Sequence, residues 1–175
     1  MKKLLIVIDM QNDFIDGSLG TPEAVAIVEN VTARIRSYPP EAVIATMDTH
    51  GPEYLSTQEG RNLPVEHCVR GTDGWRLRPE IAALLTDARI YEKPTFGSVE
   101  MAEAVRAMGD VEEIELIGLC TDICVVSNAL MLKTYMPEVK INVDASCCAG
   151  VTPEKHEAAV ETMRSCQIES KGYEH

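Results

Sequence analysis

Short runs of apolar residues recur along the chain and alternate with segments of helical character. We predict six strands, over residues 3–8, 42–47, 88–92, 114–119, 140–143 and, from a weaker pattern, 167–169. Their length and their content of Ile, Val and Leu are typical of strands buried on both faces, as in a parallel sheet.

Helix signals lie between these runs and predict four helices, over residues 22–37, 98–108, 122–135 and 153–166. The first and last begin with Thr-Pro-Glu, at Thr21 and Thr152, which supplies a cap, a proline at the first helical position and an acid in the first turn. Ser98 and Thr121 are the predicted caps of the other two helices.

Strands that alternate with helices predict an α/β fold. The expected architecture has three layers, α-β-α, around a six-stranded, mainly parallel sheet. Six strands are too few for a β/α barrel. A chain of 175 residues fits a single domain, which we place over residues 1–175.

The charge balance narrows the classes of partner. Asp and Glu number 28 against 16 Lys and Arg, a formal net charge of −12, which argues against nucleic acid or an anionic membrane. The apolar run near the start ends at Asp9, too short for a signal peptide, and no run approaches a membrane span. We therefore expect a cytoplasmic protein whose six cysteines stay reduced.

Reactive residue types follow four consecutive predicted strands. In an open α/β sheet, ligands bind outside the carboxyl ends of the strands. The residues expected at this edge are, in strand order, Asp9, Asp48 with His50, Lys93, and Cys120 with Cys124. The set indicates a catalytic site more strongly than any one member does.

Cys124 is the candidate nucleophile. With Thr121 as cap, Cys124 falls in a first helical turn, where free amides and the positive helix end stabilise a thiolate. Lys93 can supply a further positive charge, and Asp9 can accept the thiol proton and pass it to the leaving amine. Amides of this turn and near Cys120 could hold an oxyanion. The alternative is a small core residue that opens a buried helix.

A second set of residues suits a metal. Asp48 and His50 lie two apart on an extended segment, and Glu59 and His67 follow on a long stretch without clear period. Carboxylate and imidazole ligands suit zinc, iron or manganese. Cys68 could replace one ligand, and exposed loop polars are the alternative interpretation.

Several motifs together resemble the isochorismatase-like cysteine hydrolases, over residues 1 to about 166. They are Ile-Val-Ile-Asp-Met-Gln-Asn-Asp-Phe at 6–14, Thr-Met-Asp-Thr-His at 46–50, Glu-Lys-Pro at 92–94 and Ile-Gly-Leu-Cys-Thr-Asp-Ile-Cys-Val at 117–125. The resemblance implies a six-stranded parallel sheet of Rossmann-like topology, flanked by helices.

The resemblance also implies roles for individual residues. The family triad falls on Asp9, Lys93 and Cys124. The family's cis peptide would join Leu119 to Cys120, and the oxyanion donors would be the amides of Cys120 and Cys124.

The loop 64–74 is similar to that of the nicotinamidase branch, which adds a metal. Its ligands would be Asp48, His50 and His67, with Glu59 as a fourth ligand that some members carry. The metal there holds the pyridine nitrogen and orients the ring.

We therefore predict a cysteine amidase that hydrolyses nicotinamide, or a close aromatic carboxamide, through a thioester. The cofactor would be a divalent metal, with zinc preferred and iron or manganese as alternatives. Phe14, which could stack on a flat ring, and Leu119 are the predicted substrate-binding residues. Family members are commonly dimers or larger, so we expect a homo-oligomer.

Two alternatives stay open at this point. One is a metal-independent hydrolase of the same fold that cleaves ureido or N-carbamoyl compounds. The other is a non-catalytic binding or redox-sensing protein, in which Cys120 and Cys124, or Cys147 and Cys148, exchange thiols.

Overall fold

The structure, a computed structural model, describes residues 2–172, so Met1 and residues 173–175 of the predicted domain lie outside it. The strands are β1 Lys2–Ile8, β2 Val43–Asp48, β3 Arg89–Lys93, β4 Val111–Leu119, β5 Lys140–Ala149 and β6 Glu169–Lys171. The helices are α1 Asn12–Ile15, α2 Pro22–Ala26, α3 Val28–Arg36, α4 Gln58–Asn62, α5 Pro79–Ala82, α6 Val99–Met108, α7 Val126–Tyr135 and α8 Pro153–Ser165.

The six strands form one sheet in the order β3-β2-β1-β4-β5-β6. Every neighbouring pair is parallel, which confirms the predicted three-layer α/β fold. The order reverses between β1 and β4, the place where doubly wound sheets open a crevice for ligands.

Side chains of β1 alternate between the two faces of the sheet, as a strand requires. Leu5 and Val7 join a core with α2, α3 and α5, whereas Leu4, Ile6 and Ile8 join a core with α6, α7 and α8. A strand buried on both faces needs an unbroken apolar run, which is why the pattern predicted it.

Gly118 lets β4 approach β1 closely near the carboxyl edge. It pairs with Ile8 and has a φ of 116°, and a Cβ built there would lie 2.1 Å from the Ile8 carbonyl oxygen. The close approach brings the chain after β4, which carries Cys120 and Cys124, next to Asp9.

Three strands differ from prediction by more than one residue. β4 begins at Val111, three residues before its predicted start. β5 continues to Ala149, beyond the predicted end at 143, although Asp144 and Ser146 interrupt its apolar pattern. β6 begins two residues later than predicted, since Gln167 has a φ of 63° and cannot continue an extended strand.

The caps at Thr21, Ser98 and Thr152 are confirmed, because each hydroxyl accepts an amide hydrogen bond from the first helical turn. The predicted helix 22–37 is interrupted at Ile27. Three helices of four or five residues, α1, α4 and α5, were not predicted because they are too short to show a helical period.

Within residues 2–172, no helix is both long enough and apolar enough to cross a membrane. All six cysteines are free thiols, as predicted.

Candidate active site

Asp9, Lys93 and Cys124 meet at the carboxyl edge of the sheet. Lys93 Nζ lies 2.6 Å from Asp9 Oδ2 and 3.3 Å from Cys124 Sγ. It also donates to the Thr95 carbonyl at 3.1 Å, while the Thr46 hydroxyl donates to Asp9 Oδ1 at 2.7 Å. All three triad side chains are buried. The predicted convergence is therefore present, with Lys93 in contact with both the acid and the thiol.

The pKa values of these groups differ from the sequence-based expectation. Burial raises the pKa of Cys124 well above its usual value, and the charge of Asp9 raises it further, against the effect of Lys93. Burial also raises the pKa of Asp9, although Lys93 opposes this. Burial would lower the pKa of Lys93, but the charge of Asp9 and the other neighbours raise it overall. These surroundings favour the neutral thiol at Cys124, beside a carboxylate whose pKa is raised.

The nucleophile lies on an unusual turn. The Leu119–Cys120 peptide is cis, as the resemblance implies. Residues Thr121–Val125 form a π-helical turn before α7, and the amides of Ile123 and Val125 both donate to the Cys120 carbonyl. Cys124 therefore lies where a helix begins, as predicted.

The prediction of Thr121 as a helix cap is wrong. The residue that precedes the turn is Cys120, and no side chain caps it. The hydroxyl of Thr121 instead forms a 2.7 Å hydrogen bond with His156 Nδ1, on α8. A second bond fastens the same turn to the β5–α8 connection, since the Val151 amide donates to Asp122 Oδ1 at 2.9 Å.

Asp48, His50 and His67 form a compact buried cluster with one potential ligand atom each, all within 4.8 Å of one another. The Asp48 Oδ2 atom lies 3.0 Å from His50 Nε2 and 3.5 Å from His67 Nε2. Glu59 Oε1 lies 3.8 Å from both Nε2 atoms, so the predicted fourth ligand is adjacent.

This cluster fits a divalent metal. His67 Nδ1 lies 2.9 Å from the Val65 carbonyl, which can only accept, so Nδ1 carries the proton and Nε2 keeps its lone pair for the cluster. Two imidazoles and a carboxylate with room for a further ligand are a typical donor set for zinc and iron.

Cys68 does not replace a ligand. Its side chain packs in the apolar core between the sheet and helices α2 and α3, and burial raises the pKa of its thiol far above the usual range. Its backbone, which has a φ of 48°, contributes to the site instead, because the Cys68 carbonyl accepts a hydrogen bond from the His50 amide.

Two contributors to the site were missed by the sequence analysis. Gln11 is fully buried and clamps the backbone of Asp48, donating to its carbonyl at 2.8 Å and accepting from its amide at 2.7 Å. A polar residue three positions after the end of β1, and two after Asp9, was the available signal.

Tyr54 is the second residue that was missed. Its ring lies 4.7 Å from the His50 ring and 4.9 Å from the His67 ring, and its hydroxyl donates to the Leu63 carbonyl at 3.0 Å. Tyr54 packs against both imidazoles. It lies in the stretch 48–74, where the sequence has no helical or strand period that would have predicted this role.

A small cavity connects the two sets of residues. It is lined by Phe14, Leu19, Asp48, Glu59, Leu63, His67, Phe96, Cys120, Ile123 and Cys124. Phe14, a predicted substrate-binding residue, lines this cavity, with its ring 5.6 Å from that of His67. The lining of the cavity thus includes a thiol and two members of the Asp/His/His cluster, Asp48 and His67.

The prediction of Leu119 as a substrate-binding residue needs correction. Its side chain is fully buried in the core beside Leu5 and Val7 and is not among the cavity-lining residues of the described chain. Strand alternation turns it away, and only its backbone reaches the site.

Cys147 and Cys148 are buried on opposite faces of the sheet, one in each core. Consecutive strand residues point apart, so these two thiols do not form the exchanging pair of the redox alternative. Burial raises the pKa of Cys147 to about 11 and that of Cys120 to about 12, which disfavours thiolate at both positions.

Known proteins resemble this chain along nearly its whole length. It is 28% identical over 184 residues to the nicotinamidase/pyrazinamidase of Mycobacterium tuberculosis, covering 95% of this chain and 97% of that protein. It is also 28% identical over 190 residues to the nicotinamidase of Escherichia coli, covering 90% and 87%.

A solved structure gives the same picture. The pyrazinamidase of Pyrococcus horikoshii in complex with zinc superposes with a TM-score of 0.81 at 28% identity, covering 99% of this chain and all of that chain. The sequence profile of the isochorismatase domain matches residues 3–170. Because this match spans almost the entire sequence, the chain belongs to the isochorismatase family.

Proposed function

We propose that this protein is a cysteine amidohydrolase that converts nicotinamide and water to nicotinic acid and ammonia. The observation that carries the proposal is a single cavity lined by Cys124 together with Asp48 and His67, with Lys93 in contact with both Asp9 and Cys124. The relatives named nicotinamidase and pyrazinamidase support the same class of substrate.

In the proposed reaction, Cys124 Sγ attacks the carboxamide carbon while its proton passes to Asp9. The increased proton affinity of Asp9 suits this transfer, because a neutral buried thiol needs a base. Asp9 then returns the proton to the leaving nitrogen, ammonia departs and a thioester remains. Water, deprotonated by Asp9, hydrolyses the thioester and restores the thiol.

Lys93 holds the acid in place and stays protonated throughout. Its contacts with Asp9 and Asp48 explain why, since both carboxylates favour the charged amine. The negative oxygen of the tetrahedral intermediate would be held by the amides of Cys120 and Cys124, at the start of the π-helical turn.

Asp48, His50 and His67 would hold a divalent metal, for which we propose zinc, with Glu59 beside them. When bound, such an ion would supply a Lewis-acid site for the pyridine nitrogen. Phe14 would contact the face of the substrate ring, and Leu19, Leu63 and Phe96 would complete an apolar wall.

Ammonia release from nicotinamide tests the proposal. Wild type should release ammonia, and Cys124→Ala should release none above background. Cys166→Ala is the matched control, because Cys166 is an exposed cysteine at the end of α8 and should keep full activity. Equal release by wild type and Cys124→Ala would remove Cys124 as the nucleophile.

A second experiment tests the metal. A verified metal-free sample should lose most activity, and added Zn²⁺ should raise its melting temperature, since a ligand that binds the native state stabilises it. His67→Ala should abolish that shift. Full activity of the metal-free sample, with cleavage of N-carbamoyl compounds, would instead support the metal-independent hydrolase.

Three broader expectations stay predictions. They are a single domain over residues 1–175, a homo-oligomeric assembly and a cytoplasmic location.

A further inference from the structure

We propose that Asn128 is a positioning residue that fixes the segment after Lys93 against the helix of the nucleophile. The inference rests on the proposed role of Cys124 and concerns a residue that touches neither the cavity nor the triad side chains. It starts from a fully buried polar side chain on α7, four residues after Cys124.

The side-chain amide of Asn128 bridges two segments with three hydrogen bonds. Its Nδ2 donates to the Cys124 carbonyl at 2.7 Å and to the Phe96 carbonyl at 3.1 Å. Its Oδ1 accepts from the Ser98 amide at 2.9 Å. Both donors and one acceptor are thus used, within one buried group.

The segment that Asn128 holds carries two parts of the site. The Thr95 carbonyl accepts from Lys93 Nζ at 3.1 Å, so it helps to orient the amine that contacts both Asp9 and Cys124. Phe96 lines the cavity although the residue is 44% exposed, so it has little packing of its own to fix it.

Asn128 therefore determines how far Cys124 lies from Lys93 and from Phe96 in the cavity wall. Removing its donors would leave the buried Cys124 carbonyl and the partly buried Phe96 carbonyl to find new partners, and the segment 94–98 would shift relative to α7. A displacement of about 1 Å at a reacting group can lower a rate roughly 100-fold. The expected effect on catalysis is accordingly larger than the loss of folded protein explains.

The primary variant is Asn128→Leu, with Asn142→Leu as its matched control. Asn142 is equally buried, in β5, and donates to Glu113 Oε1 rather than to the site. Both variants should melt at lower temperature than wild type. Measured on folded protein, kcat for nicotinamide should fall roughly 10- to 100-fold in Asn128→Leu only.

A second readout does not depend on the substrate. Alkylation of Cys124 by iodoacetamide, followed by fragment-ion mass spectrometry, should change its rate and its pH profile in Asn128→Leu and not in Asn142→Leu. If wild type fails to hydrolyse nicotinamide, the proposed function fails, yet this comparison still tests Asn128.

A third variant separates the donors from the acceptor. Asn128→Asp keeps the size and the acceptor for the Ser98 amide, but as a carboxylate it cannot donate to the Cys124 and Phe96 carbonyls. It should lose activity as Asn128→Leu does.

If Asn128→Leu does not fold, the smaller Asn128→Ser is measured at a temperature where circular dichroism shows it folded. Unchanged kcat and alkylation in the folded Asn128 variants, or equal changes in Asn142→Leu, would overturn the proposal.

Discussion

Two fully buried carboxylates, Asp9 and Glu115, each pair with a cation, yet their pKa values are shifted in opposite directions. Asp9 follows β1 at the carboxyl edge and contacts Lys93 at 2.6 Å. Glu115 lies within β4 and is bound by Arg34, whose second nitrogen donates at 2.8 Å, and by Lys171 at 3.1 Å.

The two carboxyl groups differ in pKa. Burial raises the pKa of Asp9, and Lys93 only partly offsets this. Burial would likewise raise the pKa of Glu115, but the hydrogen bonds from Arg34 and Lys171 lower it overall. Two strong donors outweigh the effect of burial and hold Glu115 as an anion. At Asp9 the single cation offsets burial only in part, so this carboxylate keeps the proton affinity that a base requires.

The largest expected effect is on activity, and it distinguishes the Asp9–Lys93 pair from the ion pair of Glu115 with Arg34. Asp9→Asn should keep the fold but lower kcat about 100- to 10,000-fold, because the amide cannot take the thiol proton. The measurement is ammonia release per folded molecule, with circular dichroism to confirm folding. Glu115→Gln serves as the control, since it removes an equally buried charge away from the cavity.

Near-normal kcat in Asp9→Asn would show that the Asp9–Lys93 pair is structural, like the other pair. A comparable fall in Glu115→Gln would mean that buried charge anywhere in this sheet is needed for catalysis. Either result would remove the distinction drawn from the pKa values.

The second prediction concerns stability. Glu115→Gln should lower the free energy of unfolding by about 1–3 kcal/mol, because Arg34 and Lys171 lose their charged partner. The loss is at the lower end for a broken buried pair, since the Arg34 side chain is 32% exposed and can be hydrated. Urea denaturation measures it, and kcat per folded molecule should stay unchanged.

The sequence predicted the catalytic pair and missed the structural one, for a physical reason. Asp9 and Lys93 each follow an apolar run, and parallel strands bring their carboxyl ends to one edge, so topology alone places them together. Glu115 and Arg34 are 81 positions apart, on a strand and a helix, and no rule of spacing joins them.

Backbone detail explains the other differences. Cys124 could be placed at a helix start from its position after β4, but the π-helical turn removed Thr121 from the cap position. Leu119 was a predicted substrate-binding residue, yet strand alternation buries its side chain. Tyr54 supports two ligands from a stretch whose path only tertiary contacts determine.

The third prediction uses pH to test the anionic state of Glu115. Its folded pKa lies below the ordinary value of 4.5, so the stability it contributes is present above that pH and is lost as pH falls through the folded pKa. The difference in unfolding free energy between wild type and Glu115→Gln should therefore shrink below about pH 4.5. Denaturation curves from pH 3 to pH 7 measure it, and a difference that grows with acid would reverse the assigned sign.

The smallest expected effect separates the contributions of Arg34 and Lys171, the two cations that pair with Glu115, to the free energy of unfolding. Lys171→Met should lower the free energy of unfolding by no more than about 1 kcal/mol, because the Lys171 side chain is 41% exposed and its ion pair competes with water. High salt should reduce this difference further. Arg34→Met is the comparison, since it removes two parallel hydrogen bonds and should cost more. If Lys171→Met instead matched Glu115→Gln, the exposed lysine would be the main partner, and the bidentate arginine could no longer explain why the pKa of Glu115 is lowered while that of Asp9 is raised.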